Sequence, residues 1–250
     1  MGFKIFEVSR LSETVGRTEV HQKFLDLSVG IVIPTFNEER NIEYVLSQLN
    51  VLGYSNILVI DGSSSDNTVE VARQNGAKIV IQTGHGKGQA IRQVLQNDYL
   101  TADILILMDA DGSMVPAEIP QFVKAICKGY DVAKGSRFLL GGGTYDMTQL
   151  RKFGNSVMLY ITNLLHASNY TDICYGFAAL NKKAVTILSQ CLEADGFDIE
   201  TEMFIKAQKF GLEVVEVPSI EYRRKHGESN LHSFRDGLKI FRKIFGLALS

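Results

Sequence analysis

The side chains best placed to do chemistry in this 250-residue chain are Asp109 and Asp111, separated by Ala110. They follow an all-apolar run at 104–108, which has the length and composition of a buried strand. Residues two apart in an extended chain point to the same side, so the two carboxylates converge at the strand's end. Gly112 then lets the chain turn. Carboxylates held that close repel each other unless a cation lies between them. Hard oxygen ligands suit Mg²⁺ or Mn²⁺, which commonly bridge to phosphate oxygens. A lone Asp-x-Asp also occurs in surface turns, so its surroundings must decide.

Those surroundings alternate. Strands are predicted at 29–34, 57–60, 78–81, 104–108 and 131–134, with helices between them at 38–49, 66–75, 88–96 and 116–128. Nearly all-apolar strands alternating with helices predict an α/β fold. Its sheet is mostly parallel, with helices on both faces, in a single domain. Ligands of such sheets bind beyond the carboxyl ends of the strands, where Asp109 and Asp111 fall. Farther on, a long amphipathic helix is predicted at 150–165, a strand at 175–180, a helix at 200–210, a strand at 214–217 and a polar loop at 219–230. Residues 1–28 show no period and are read as an extension, 29–230 as the domain, and 231–250 as an amphipathic C-terminal helix.

Bulk properties narrow the function. Hydrophobic residues make up 45% and charged residues 22%, as in soluble globular proteins. A net charge of −2 offers no argument for nucleic-acid binding. Cys127, Cys174 and Cys191 form no CxxC pair, which argues against a disulfide scaffold or structural zinc and fits a reducing cytoplasm. No signal peptide or membrane-spanning run is legible, so a cytoplasmic location is expected. Leu238, Phe241, Phe245 and Leu249 recur at helical spacing beside Arg235, Lys239, Arg242 and Lys243. Such a helix either docks on the core or lies on an anionic membrane surface as a peripheral contact.

Other local signals surround the crevice. The turn at 34–39 is not glycine-rich, so the dinucleotide fingerprint is missing where that fold needs it. The cluster at 84–88 lacks P-loop spacing, but it places backbone amides and Lys87 at a helix N-terminus, where an anion is welcome. Asp61 ends the second strand, where its carboxylate can accept hydrogen bonds from a base or a ribose. Asp66 reads as a helix cap.

Five segments occur in order: PTFNEERNI (34–42), IDGSSSDNT (60–68), GKGQAIR (86–92), DADGS (109–113) and KGSRF (134–138). Together they resemble family 2 glycosyltransferases, and within that family the dolichol- or polyprenyl-phosphate sugar synthases. The resemblance covers about residues 29–235. It implies a GT-A (Rossmann-like) fold, a nucleotide-sugar donor, a divalent metal (Mg²⁺ or Mn²⁺) and inversion at the anomeric carbon. It places Pro34, Phe36, Glu38 and Asp61 on the nucleoside, and Asp109, Ala110 and Asp111 at the diphosphate, with the two aspartates on the metal. Lys87 matches a basic or small position near the phosphates. Ser113 stands where lipid-phosphate synthases often carry Gln as a further metal ligand. Arg224, ahead of Gly227-Glu228-Ser229, matches their Arg-x-x-Gly-Glu-Ser segment, although Asn230 replaces the usual Lys.

Three functional readings remain open on the sequence, two of them with different acceptors. A phosphomonoester, with its second pKa at about 6, is largely ionised at neutral pH and needs cations but no base. Arg137, Arg151 and Arg224 are the candidates to hold it. A hydroxyl of a glycan, glycolipid or small molecule needs a carboxylate base, for which Asp172 and Glu202 are the candidates. Glu200 and Glu202 face different directions on a helix, so at most one of them reaches the site. A non-catalytic nucleotide-sugar-binding module is the third reading. A nucleotidyltransferase would need a glycine-rich N-terminal loop that is absent here.

Overall fold

Nearly continuous apolar strands need cover on both faces, and a computed structural model, which describes residues 27–228 and 232–249, supplies it. The elements run β1 (Val29–Thr35), α1 (Glu39–Val51), β2 (Ile57–Asp61), α2 (Thr68–Gln74), β3 (Lys78–Ile81), α3 (Lys87–Gln96) and β4 (Ile104–Leu107). A 3₁₀ turn (Pro116–Glu118) and α4 (Ile119–Cys127) follow. Then come β5 (Val132–Ser136), β6 (Gly143–Thr144), α5 (Gln149–His166), β7 (Ala178–Asn181), α6 (Lys182–Cys191), α7 (Ile199–Lys209), β8 (Val214–Pro218), β9 (Ile220–Glu221) and α8 (Ser233–Leu249). Seven strands form one sheet in the order β3-β2-β1-β4-β7-β5-β8. It is parallel except for β7, which runs antiparallel to β4 and β5.

Side chains along the central strands alternate between two cores, as a period of two requires. Ile31, Ile33, Ile57, Val59, Ile104 and Ile106 pack on one face with α1 and α4. Val32, Leu58, Ile60, Leu105 and Leu107 pack on the other with α3, α6 and α7. Each fully buried aliphatic side chain of this kind contributes roughly 1.5–3 kcal/mol.

The predicted elements form within a few residues of their expected bounds. Helix α6 was not expected; it starts at Asn181, whose side chain accepts from the Ala184 amide at 2.8 Å. Strands β6 and β9 were not expected either. At two residues each they leave no periodic signal, and β9 lies where a loop was read. The expected N-terminal extension falls largely outside the described residues. Within them, Leu27 packs on the first core and Ser28 donates to Asp103.

Helices α5 and α8 pack on each other through Ile240, Ile244 and Leu247 of α8, with Met158 and Ile161 of α5 against them. The apolar stripe read from the sequence of α8 is a different one. Leu238, Phe241, Phe245 and Leu249 point outward, joined by Phe234 at 89% exposed. Helix α5 does the same: Leu150, Phe153, Val157, Tyr160 and Leu164 are between 40% and 76% exposed, while Asn155 and Thr162 are buried.

Candidate active site

Strand β1 lies between β2 and β4, so the chain winds away from it in both directions. Such a switch point opens a crevice at the strands' carboxyl ends. The Met108 amide still donates to the Val32 carbonyl (3.2 Å); one residue later the chain leaves the sheet and presents Asp109. Gly112 adopts φ +75°, and a Cβ there would meet Lys225 Cγ at 2.8 Å and the Tyr44 ring at 3.2 Å. This turn brings the Ser113 amide to Asp111 Oδ1 (2.9 Å). Both carboxylates keep some solvent exposure, 31% for Asp109 and 23% for Asp111.

Each of the two is met by a cation from another part of the chain. Lys87 Nζ, at the start of α3, lies 2.5 Å from Asp109 and 2.6 Å from Glu200. Burial would lower the Lys87 ammonium, but the two carboxylates overcome it and hold the group above its ordinary value, hence charged. Gly176 makes room for this contact: a Cβ there would lie 2.5 Å from Glu200 Oε1 and 2.8 Å from Lys87 Nζ. Arg224 reaches Asp111 at 3.5 Å, donates to Glu38 and holds the His226 carbonyl (2.7 Å). Burial raises the Glu38 carboxyl, partly offset by hydrogen bonds from Arg224 and Asn41. The sequence assigned Arg224 to the acceptor; the structure joins it to Glu38 and to the carboxylate pair.

Three sequence candidates lie elsewhere than expected. Asp61 is fully buried and does not line the cavity. Its carboxylate accepts from Thr35 Oγ (3.1 Å), Ser64 Oγ (2.6 Å) and the Ser64 amide (2.8 Å), so it braces the turn after β2 against β1. Asp66 lies one residue before the cap position, Asn67, whose own side chain makes no capping bond; the Asp66 carboxylate accepts from the amides of Thr68 (3.0 Å) and Glu39 (3.2 Å) and so ties the starts of α2 and α1 together.

Asp172 is also fully buried, and it faces Arg137 rather than the cavity. Arg137 Nε donates to Asp172 Oδ2 (2.7 Å), Nη1 to Glu221 (3.0 Å), and Nη2 to Asp172 Oδ1 (3.0 Å) and the Cys174 carbonyl (2.8 Å). Burial would raise the Asp172 carboxyl; the guanidinium beside it overcomes that and holds it below its ordinary value. A carboxylate so stabilised and enclosed is a poor proton acceptor, which corrects the reading of Asp172 as a base. The same bonds occupy the fixed donor fork of Arg137. Although Arg137 lines the cavity, it has little left for an acceptor phosphate, which corrects the second expectation.

Glu202 is the third. Two residues of α-helix rotate a side chain by about 200°. Glu200 therefore turns into the cavity, while Glu202 turns away. There it accepts from the amides of Glu193 (3.0 Å) and Ala194 (2.7 Å) and pairs with Lys206 (2.9 Å) and Lys243 (3.3 Å). Of the two glutamates, only Glu200 lines the cavity. Glu200 and Met203 are three apart, and so are Ile199 and Glu202, so helical spacing does not separate the two glutamates; only the packing around α7 does.

The crevice belongs to a cavity of about 720 Å³. Its walls include the expected Pro34, Phe36, Glu38, Lys87, Asp109, Ala110, Asp111, Arg137, Arg151 and Arg224. Asp146 and Glu221 also line it without belonging to any sequence motif, as does an apolar wall of Leu150 and Met158 from α5 and Phe234 and Ile240 from α8. Asp146 and Glu221 follow no periodic element, so only tertiary placement reveals them. Carboxylates outnumber cations around this cavity: Glu38, Asp109, Asp111, Asp146, Glu200 and Glu221 face Lys87, Arg137, Arg151 and Arg224.

That excess fits a divalent cation. A diphosphate entering a carboxylate-rich cavity meets repulsion unless positive charge comes with it. Among the described residues no group of three or more His, Cys, Asp or Glu could cage a metal. Two part-exposed carboxylates suit Mg²⁺ or Mn²⁺, whose remaining positions are then filled by water and phosphate oxygens.

A doubly wound sheet with a carboxylate pair at its switch point, opening on one large cavity, defines the GT-A class of glycosyltransferase. Residues 30–188 match the family described as Glycosyl transferase family 2, and the chain belongs to that family. It is 36% identical over 220 residues to glycosyltransferase AglJ of Haloferax volcanii, covering 87% of this chain and 71% of that one. It is 30% identical over 224 residues to a dolichyl-phosphate hexose transferase of the same organism, covering 88% and 94%. It is 34% identical over 214 residues to a dolichol-phosphate mannosyltransferase of Pyrococcus furiosus, covering 82% and 59%. The fold matches glucosyl-3-phosphoglycerate synthase from Mycobacterium tuberculosis, solved with UDP, with a TM-score of 0.72 at 19% identity over 92% of this chain and 83% of that one.

Proposed function

We propose that this glycosyltransferase moves a sugar from a nucleotide-diphosphate sugar to a polyprenyl phosphate, with inversion. One observation carries the reading: a single cavity joins the Asp109–Asp111 pair to an apolar wall built by α5 and α8. A donor needs the first and an isoprenoid chain the second. The names of the dolichyl- and dolichol-phosphate transferases among its relatives support the acceptor class. The fold neighbour solved with Mn²⁺ and UDP-glucose supports the donor class.

In this reading Asp109 and Asp111 hold the divalent ion, which when bound neutralises charge on the departing diphosphate. Lys87 and Arg224 already touch those carboxylates, so they stand ready to stabilise the same leaving group. Glu200 keeps Lys87 charged and in place. The acceptor phosphate oxygen attacks the anomeric carbon from the face opposite the diphosphate. The new C–O bond forms as the old one breaks, and the electron pair leaves with the diphosphate. No proton has to move, because the attacking phosphate is already ionised. Arg151 is the cation that α5 adds on the apolar side of the cavity.

The test is incubation with a panel of UDP- and GDP-sugars, polyprenyl phosphate and Mg²⁺. A sugar-labelled, solvent-extractable lipid is expected with at least one donor, and none with any donor would overturn the proposal.

A second reading, transfer to a hydroxyl, rests on Asp146. It is the one cavity carboxylate with no ion pair among the described residues. A general base contributes about 10²–10⁴-fold. Asp146→Asn is therefore expected to leave turnover on polyprenyl phosphate nearly unchanged in a steady-state assay. A loss of that size with donor binding intact would favour the hydroxyl acceptor.

A further inference from the structure

Asp61 does not meet the base of a nucleotide, because its buried carboxylate is engaged by Thr35 and Ser64. A neighbouring side chain does face the crevice. Gln82, one residue past β3, lines the cavity at only 8% exposure. It is fixed at both ends. Its backbone amide donates to the Asp61 carbonyl (2.8 Å), and its Nε2 donates to the Gly86 carbonyl (2.9 Å). A carbonyl only accepts, so the second bond sets which way the carboxamide is turned. Among the described residues nothing donates to Gln82 Oε1. Buried polar atoms are normally paired, so a fixed acceptor left open in a cavity wall is a place for a ligand's donor.

Gly62 shows where that oxygen lies. Its amide donates to the Thr35 carbonyl (2.8 Å), which ties it to the end of β1. A Cβ on Gly62 would sit 3.3 Å from Gln82 Oε1 and 3.4 Å from Phe36 Cδ2. The missing side chain therefore leaves a gap bordered by the Phe36 ring and the open acceptor, and all three residues line the cavity. Phe36 is 48% exposed, so it offers a face on which a planar base can stack. Such stacking accepts any base. The choice among bases falls to the one hydrogen-bonding atom beside the ring.

We infer that Gln82 Oε1 reads the base of the donor nucleotide and selects uracil. Uracil presents a single ring N–H, at N3, between two carbonyls, and one acceptor oxygen meets it. Guanine presents two adjacent donors, N1–H and the 2-amino group. They call for two acceptors side by side, which a carboxylate supplies and one carboxamide oxygen does not. The carboxylate close by, Asp61, is already engaged. Cytosine carries a lone pair at N3 where uracil carries its proton, so it would set acceptor against acceptor. This inference rests on the nucleotide-sugar donor proposed above and is independent of the acceptor.

The experiment is isothermal titration calorimetry of the full chain with UDP, CDP, GDP and N3-methylated UDP, each with Mn²⁺. UDP is expected to bind about tenfold more tightly than CDP, the weight of one hydrogen bond made against one left unmade. Methylation at N3 should cost UDP at least as much, a comparison that needs no variant. Gln82→Leu is expected to bring UDP down to the level of CDP. A Gln82 that only braces the Gly86 turn would behave differently, since its loss would weaken UDP and CDP alike and leave their ratio unchanged. An unchanged ratio in the variant, equal binding of UDP and CDP by the wild type, or tighter binding of GDP would overturn the inference. Preference for GDP leaves the nucleotide-sugar donor standing and removes the role of Gln82 alone. Failure of every nucleoside diphosphate and every nucleotide sugar to bind overturns the donor and this inference together. Selective UDP binding without transfer to polyprenyl phosphate supports Gln82 and sinks the acceptor alone.

Discussion

Asp109→Asn is expected to lower glycosyl transfer by about 10²–10³-fold, the cost of removing one preorganised electrostatic partner of a developing charge. The substitution keeps the shape of the side chain and removes its charge. It takes away half of the carboxylate pair and one of the two anions that Lys87 contacts. Folding should survive, because Asp109 is part-exposed and Lys87 retains Glu200 at 2.6 Å. The decisive measurement is a thermal shift with UDP or GDP, with and without Mn²⁺. A ligand that binds the native state raises its stability, so the wild type should show a metal-dependent increment that the variant lacks. An unchanged increment would remove Asp109 from the metal and leave it a partner of Lys87 only.

The second large effect is on stability. Asp172→Ala leaves the Arg137 guanidinium buried with one of its two carboxylate partners missing, the other being Glu221 at 3.0 Å. Breaking a buried pair from one side costs about 3–5 kcal/mol, which for a chain of this size lowers the melting temperature by about 10 °C. Urea denaturation monitored by circular dichroism measures it. The pH dependence has a definite sign. The folded-state carboxyl titrates below its ordinary value of 3.8, so the pair's contribution is complete above that value and is lost as pH falls through the lower, folded one. The stability gap between wild type and variant should hold at neutral pH and narrow only under strongly acidic conditions. An unchanged melting temperature together with abolished transfer would restore Asp172 as a catalytic base.

Most of the cavity around the carboxylate pair was legible in the sequence because it is built from local patterns. Pro34, Phe36, Glu38, Lys87, Asp109 and Asp111 occupy strand ends or helix starts, and all of them line the cavity. A strand followed by a turn places its terminal side chains in a known direction whatever the rest of the chain does. The surroundings of Asp172 and Glu202 were not legible in this way. Asp172 and Glu202 are acids in the expected neighbourhoods. Whether an acid faces a cavity or a buried guanidinium depends on which segment packs behind it, and that involves residues far away in sequence, such as Arg137 for Asp172 and Lys243 for Glu202.

The amphipathic helices show the same division. Helical periodicity identified a stripe on α8, but periodicity measures segregation of apolar residues and does not say what covers them. The packing of Ile240, Ile244 and Leu247 against α5 uses up one face and leaves the other outward. By itself, then, the sequence determined the doubly wound sheet, the family and the carboxylate pair at the end of β4. Strand periodicity, turn residues and local order suffice for those. Only the tertiary structure decided that Glu200 rather than Glu202 enters the cavity, that Arg137 is bound by Asp172 and Glu221, and that α5 and α8 join the cavity to an exposed apolar face. Each of those outcomes depends on contacts between segments distant in the chain, which no local pattern encodes.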